Sequence, residues 1–452
     1  MQFLTLKKGK LLLSIPSKIN KTIPSLITAF LLTNLYSHVS SGQTLNEALT
    51  QAYLNNPVLA AARSELQAVN QKIPQALSGW QPNIAVTGSI GRGYQVIDSA
   101  IGNSSKINTY PWQAEITVVQ PLYRGGRTIA ATKQAKNLVS AQQASFRSTE
   151  QNILLETVRA YMDVVRDQAI LSLTKSNEQV IGRQLAASQD RFRVGEITRT
   201  DVALSESRLS GATAQRIRAE GNLAISKAAF VRVVGVDPKN LRSPLAPANL
   251  PKTQEELLQA AANNPAVLLS AYLEKAARDG IDLSFGELLP TVSLIGSYSM
   301  EENNFRHNNR NTRLKTGTIM AQISIPLYQA GLPESRLRES KLIANQRQQE
   351  LRAQQEFTIQ SAISSWQELI SVRAQAKAYE SQVHASKIAL EGIRQEAAVG
   401  SRTLLDSLDA EQEYLDAQVS LVITKRDEIV ASYSVLAAIG KLSLDDLSLP
   451  IK

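Results

Sequence analysis

The sequence predicts a mainly α fold with embedded transmembrane β: long antiparallel coiled-coil helices interrupted by two β-hairpins, every feature occurring twice. Three observations predict it. Landmarks recur after nearly half the chain, the hydrophobic period switches from helical to alternating and back within each half, and each half contains a long run suited to an extended helix.

Asn55-Asn56-Pro57 returns as Asn263-Asn264-Pro265, 208 residues on. Pro121-Leu122-Tyr123-Arg124-Gly125-Gly126 returns as Pro326-Leu327-Tyr328-Gln329-Ala330-Gly331, 205 residues on, and Val194-Gly195, Asp201 and Val234-Gly235 return as Val399-Gly400, Asp406 and Ile439-Gly440 at the same spacing. Solenoid periods run to roughly 20–50 residues, so the repeated unit is domain-sized. It gives a first repeat over 43–247 and a second over 248–452, with Pro238, Pro244, Pro247 and Pro251 in the linker.

The first 42 residues read as a signal peptide. Lys7, Lys8, Lys10, Lys18 and Lys21 precede an apolar run from Ile23 to Leu35, and the small residues Ser40, Ser41 and Gly42 follow. A membrane anchor is the alternative, but Pro24, Ser25, Thr28, Thr33 and Asn34 interrupt the run, which falls short of the roughly 20 residues a spanning helix needs. Maturation is expected near Gln43. Loss of five lysines lowers the formal charge from +9 to +4, so the basicity belongs mostly to targeting and implies no nucleic-acid binding.

From Thr44 to Leu77 the pattern is helical, with a break at Asn56-Pro57 because proline lacks a donor and restricts the residue before it. After Pro82 the period becomes two. Ile84, Val86 and Ile90 oppose Asn83, Thr87 and Ser89, and then Trp112, Ala114, Ile116 and Val118 oppose Gln113, Glu115 and Thr117. The polar stretch from Asp98 to Asn108 reads as a long exposed loop, so the first β-hairpin covers about 83–121.

After Pro290 the device repeats over about 291–326. Val292, Leu294 and Tyr298 alternate with Thr291, Ser293 and Ser297, then Ile319, Ala321, Ile323 and Ile325 with Thr318, Met320, Gln322 and Ser324. The connecting loop, Asn303 to Arg313, carries Arg306, His307, Arg310 and Arg313. Pro121 and Pro326 are expected to stop the strands, since proline cannot donate to a ladder. Each strand approaches the roughly 9–11 residues that cross a bilayer when tilted.

The rest is long helix. Arg127 to Arg193 contains no proline, and Leu154, Val158, Tyr161 and Val165 form a coiled-coil seam. At about 1.5 Å per residue such a helix reaches roughly 100 Å. A turn at Gly195 and a second helix complete a helical hairpin over about 127–235. The second half matches over about 334–440, with a turn at Gly400 and a seam of Val422, Ile429, Tyr433 and Leu436.

Inventory argues against enzymes. Of 452 residues, 43% are hydrophobic and 20% charged, enough for a substantial core, but there is no cysteine and only His38, His307 and His384. Thiolate chemistry, disulfides, a histidine metal site and a hydrolase triad are therefore not expected. Gly91-Arg92-Gly93 lies inside a hairpin and lacks the βαβ setting of a nucleotide loop. No cofactor is expected.

The ordered, duplicated set of Asn-Pro helix starts, Pro82 and Pro290 before strands, Pro-Leu-Tyr segments, and Val399-Gly400-Ser401-Arg402-Thr403-Leu404-Leu405-Asp406-Ser407-Leu408-Asp409-Ala410 resembles the TolC family of outer-membrane channel-tunnels. The resemblance covers nearly all of the mature chain. It implies a homotrimer in which each chain gives four strands to a twelve-stranded outer-membrane β-barrel and its helices to a periplasmic tunnel of a Gram-negative bacterium. It also implies passive export, as type I protein secretion or multidrug efflux, for an inner-membrane ABC or proton-driven transporter and a periplasmic adaptor (membrane fusion) protein.

By position the resemblance makes Arg402 the latch of the periplasmic gate, Asp201 its acidic partner, and Asp406 with Asp409 a selectivity ring. Where relatives carry a latch tyrosine this chain has Ala397. An ordinary solvated helix start, where the dipole favours Asp, is the plainer account of these charges.

Physics asks for assembly independently, because four strands cannot close a barrel and an open edge in lipid leaves backbone groups unsatisfied. Ile116, Val118, Ile323 and Ile325 are expected toward lipid, and Gln113, Glu115, Thr117 and Gln322 toward a wet lumen. A non-channel periplasmic coiled-coil adaptor or tether would explain the helices but leaves both hairpins without a role.

Overall fold

The computed structural model describes residues 43–98, 102, 104–247, 249–305 and 310–447. The expected signal over 1–42 and the loop residues Arg306 and His307 lie outside them. Among the described residues the chain opens with α1 (Leu45–Asn55), α2 (Pro57–Asn70) and α3 (Lys72–Leu77), and then four strands follow: β1 (Asn83–Ile90), β2 (Gly93–Asp98), β3 (Ser104–Thr109) and β4 (Trp112–Arg124). Next come α4 (Arg127–Arg193), α5 (Arg199–Val234), α6 (Gln254–Ala261) and α7 (Pro265–Phe285). β5 (Thr291–Phe305), β6 (Arg310–Ser324), α8 (Leu332–Ala398) and α9 (Leu404–Ala438) complete the order.

α4 and α8 are each 67 residues long, about 100 Å at the helical rise. α4 pairs with α5 and α8 with α9, and the two hairpins meet through α4 and α9. Toward the sheet, α7 packs between α4 and α8, and α2 and α3 lie on α4. No helix among the described residues is long and apolar enough to cross a membrane.

The duplicated Asn-Pro landmarks have a specific task. Asn56 Oδ1 accepts the N–H of Val58 at 2.9 Å, capping α2, while its Nδ2 donates to the carbonyl of Val233 near the end of α5 at 3.0 Å. Asn264 does the same for α7 and α9, accepting from Ala266 at 2.9 Å and donating to Ala438 O at 2.9 Å. Proline at the first helical position suits both starts, because its missing N–H would have no partner there. Each asparagine thus joins the end of one helix to the start of another.

The main core lies where α1 and α6 pack on the middle of the long helices. Leu49, Leu154, Val158, Tyr161, Phe230 and Leu436 are buried in it. Tyr161 and Phe230 stack at a tilt with ring centroids 6.3 Å apart. The Tyr161 hydroxyl lies 2.7 Å from the carbonyls of both Gln43 and Arg242 and accepts the Arg242 N–H at 3.0 Å. It ties the start of the described chain and the linker between halves to α4.

The sheet differs from expectation in two respects. The first hairpin continues past Ile90 and Trp112, with β2 paired to β3 from Gly93↔Thr109 to Asp98↔Ser104, so most of the expected loop from Asp98 to Asn108 is strand. The second likewise extends into the expected Asn303–Arg313 loop, pairing β5 with β6 to Phe305↔Arg310. Backbone ladders carry these extensions, whose sequences mix polar residues with Tyr94, Val96, Ile97, Ile107 and Phe305 and do not sort them cleanly onto one face.

The other difference is at Pro121. β4 runs through it to Arg124, with a register shift between Pro121 and Tyr123. Pairing with β1 stops at Asn83↔Val119, so Pro121 sits where β4 has become an edge, a position that tolerates proline and a bulge. Pro326 matches expectation better, lying just beyond the end of β6 at Ser324. Pro82 and Pro290 immediately precede β1 and β5.

Candidate functional site

Two regions could form a conduit: the sheet and the helical turns at the opposite end of the long helices. In the sheet, β1, β4, β5 and β6 follow one another as antiparallel neighbours. Their register brings Val86, Ile116 and Tyr298 opposite one another, and Ile84 opposite Val118, while Leu294 faces Ala321 and Val292 faces Ile323. The resulting apolar face crosses all four strands. Ile90, Val86 and Ile319 on it are 88%, 74% and 83% exposed in the single chain.

The opposite face gathers Thr87, Glu115 and Ser299, then Thr117, Ser297 and Thr318. Ser297 and Thr318 hydroxyls are 2.7 Å apart. The expected alternation of lipid-facing and lumen-facing residues is thus carried from strand to strand by pairing. Val119, Ile295 and Met320 share the polar face as an apolar row. Among the described residues β1 and β6 each have one side unpaired within the chain.

At the far end, Gly195 (φ 79°) and Gly400 (φ 82°) hold the left-handed conformation that closes each helix. The N–H of Gly195 reaches Phe192 O at 2.9 Å and that of Glu196 reaches Arg191 O at 2.9 Å, satisfying the last carbonyls of α4. Gly400 and Ser401 do so for α8, bonding Ala397 O at 3.2 Å and Glu396 O at 3.0 Å. A side chain at either glycine would meet open space, so the requirement comes from the backbone angle alone.

Each turn then starts a helix with the same device. The Thr198 N–H donates to Asp201 Oδ2 at 2.9 Å while the Asp201 N–H donates to Thr198 Oγ1 at 3.3 Å. Thr403 and Asp406 repeat this at 3.0 and 3.2 Å. Both aspartates therefore close capping boxes. Hydrogen bonds from the threonine hydroxyl and N–H hold both carboxyls below the usual range, with a lesser contribution from the Arg402 charge at Asp406.

Arg402 Nε donates to Glu396 Oε2 at 2.9 Å. That bond, followed by the charges of Glu396 and Asp406, raises the Arg402 pKa. Among the described residues Arg402 and Asp201 are not brought together within one chain, because each is engaged at its own hairpin turn.

Asp409 is also partnered. Its Oδ1 accepts from Arg208 Nη2 of α5 at 2.5 Å. Beneath this bond Ile181, Ala212 and Leu408 form a small buried cluster with Leu204, Leu209 and Leu404 packed against it, fastening α4 and α5 to α9. Gln184 Nε2 donates to Ser407 Oγ at 3.2 Å beside it. Ser407 and Leu408 are thus buried between the two more exposed aspartates.

Sequence reading named the aspartates, Arg402 and the glycines but not Arg208 or Glu396. The Thr-x-x-Asp spacing at Thr198 and Thr403 was the available signal for the caps. Arg208 offered none, since its counterpart 205 residues on is Glu413. An ion pair to a buried carboxylate was also missed: exposed Arg394 donates from Nε to buried Glu411 Oε1 at 2.9 Å, closing α8 on α9. The first hairpin uses Ser205 and Ser188, 3.3 Å apart, for that task. A groove of about 300 Å³ runs beside Glu411, lined by Leu173, Asn177, Val180, Leu390 and Tyr414.

Known proteins share this architecture. The outer membrane efflux protein family profile matches residues 48–236 and 257–441. The chain is 31% identical over 422 residues to the outer membrane efflux protein BepC of Brucella suis biovar 1, covering 93% of this chain and 90% of that protein. It is 27% identical over 437 residues to the outer membrane protein TolC of Vibrio cholerae serotype O1, covering 94% and 97%. The crystal structure of the Campylobacter jejuni CmeC outer membrane channel shares the fold with a TM-score of 0.77 at 16% identity, covering 94% of each chain. With two-strand hairpins and paired long helices in both matched segments, the chain belongs to the outer membrane efflux protein family.

Proposed function

We propose that three copies of this chain form an outer-membrane channel-tunnel. It offers a passive exit across the periplasm and outer membrane to cargo delivered by an inner-membrane transporter through a periplasmic adaptor. The observation that carries this reading is the sheet: one continuous apolar face, one largely polar face, and two unpaired edges at β1 and β6. In lipid those edges require partners, and three chains in a ring supply each β6 with a neighbouring β1 to give twelve strands. Lipid then contacts Ile84, Val86 and Ile319, and water fills the bore beside Thr117, Ser297 and Gln322.

At the lower end the helical turns converge around the same axis. Asp406 and Asp409 line the constriction as a selectivity ring that as a whole favours cations, while Arg402 reaches the neighbouring chain's first hairpin near Asp201 and holds the closed state. Ala397 removes one side chain from that latch. Opening exchanges these inter-chain contacts for contacts with the adaptor, and transport is diffusion through the opened bore. Nothing in this scheme requires a chemical step by the chain itself.

Fractionation with gel migration before and after boiling tests the assembly. A membrane-integral, trimer-sized species that collapses on heating is expected. Recovery as a water-soluble monomeric rod would overturn the channel and leave the adaptor reading.

A further inference from the structure

We propose that Arg208 is a specificity-setting residue of the periplasmic entrance: it holds Asp409 and cancels its charge, leaving Asp406 as the carboxylate that carries cation preference. This rests on the reading that both aspartates line the constriction. The geometry supplies the rest. Of the contacts around the second-half turn, two are ion pairs that are neutral overall.

Arg402 is bonded to Glu396, 2.9 Å apart, and Arg208 to Asp409, 2.5 Å apart. Asp406 receives its short hydrogen bonds from Thr403, which is neutral. Opposite charges in contact act as a dipole, whose field falls faster with distance than that of a single charge, and salt screens the remainder within roughly 8 Å. An ion passing at bore distance therefore senses Asp406 more strongly than Asp409.

The Arg208 contact is positioned from below. Leu209 and Leu204 of α5 pack with Leu408 and Leu404 of α9 around Ile181 and Ala212. This cluster fixes the two helices so that the guanidinium meets the carboxylate. The pair is itself open to water, with side chains 37% and 57% exposed, and exposed pairs contribute little to stability. Its effect is on the field in the pore.

Reversal potentials in a salt gradient across a planar bilayer test this, on channels first shown to migrate as unheated trimers. Arg208→Gln is expected to raise the cation-to-anion permeability ratio by about two-fold as the Asp409 charge is released, and Arg208→Lys to match the parent. Asp409→Asn is expected to lower the ratio, because Arg208 is then a bare cation, and adding Arg208→Gln to Asp409→Asn is expected to restore it. An unchanged Arg208→Gln channel, with Asp406→Asn still lowering the ratio, overturns the role of Arg208 while the constriction reading stands. If Asp406→Asn, Asp409→Asn and Arg208→Gln all leave the potential unmoved, both fall together.

Discussion

The Asn56 side chain spans two helices, accepting from Val58 N at 2.9 Å and donating to Val233 O at 3.0 Å. One residue therefore satisfies a donor at the start of α2 and an acceptor at the end of α5. Loss of an asparagine cap costs about 1 kcal/mol, and leaving the buried carbonyl unpaired adds a similar amount. Asn56→Ala is expected to destabilise the protein by about 2 kcal/mol. Asn56→Asp keeps the cap but not the donor and should fall between parent and alanine variant in denaturant midpoint. Equal midpoints for parent and Asn56→Ala would remove the double role.

Tyr161 gives a pH-dependent test. Burial pushes its phenol up from 10.0 to about 12, a rise only partly offset by the Arg242 backbone bond. The raised value stabilises the fold fully below the unfolded pKa of 10.0 and loses that contribution progressively as pH rises toward about 12. Tyr161→Phe should flatten the decline across this window and, by leaving linker groups unpaired, lower stability at neutral pH by about 1–2 kcal/mol. Denaturant midpoints measured against pH check both, and a parallel decline in parent and variant would refute the assignment.

Ion pairs between the two hairpins differ by burial. Arg426 bonds Asp163 across α9 and α4 at 2.9 Å with its side chain 19% exposed, while Arg208 at its contact with Asp409 is 37% exposed. Asp163 also receives Arg166 at 2.9 Å, and Arg166 bonds the buried Asp167 at 2.7 Å. Arg426→Met should cost about 1–2 kcal/mol because it disturbs this network, whereas Arg208→Gln should stay within about 0.5 kcal/mol. Similar losses for the two variants in chemical denaturation would show that burial does not separate them.

Arg402 is expected to act between chains. Arg402→Ser should increase leak conductance of the closed channel, and Glu396→Ala, which removes the acceptor that holds the guanidinium within its own chain, should decrease it. Single-channel recording at fixed salt reads both directions. Unaltered conductance in Arg402→Ser removes it from the latch.

How much of this could be read in the sequence depended on how local each signal is. Helix length is local: a proline-free run from Arg127 to Arg193 is the helix observed, and Gly195 and Gly400 mark turns because only a left-handed backbone fits there. The membrane-height strands were legible because one face is apolar. Gly93–Asp98 and Ser104–Thr109 were not, because their sequence does not separate an apolar face from a polar one. Partners across helices were the least legible. The Thr-x-x-Asp spacing carried a signal for the Thr403 bond to Asp406, yet nothing in the sequence shows that Arg208 meets Asp409.

The free margins of β1 and β6 have a genetic consequence. In the proposed ring each chain presents one margin to each neighbour, so a proline in the middle of β1 damages a seam that another subunit also needs. Coexpressed with an equal amount of intact chain, such a variant leaves about one assembly in eight free of it under random mixing. Defects confined to these strands should therefore behave as dominant, poisoning export even while healthy copies are being made.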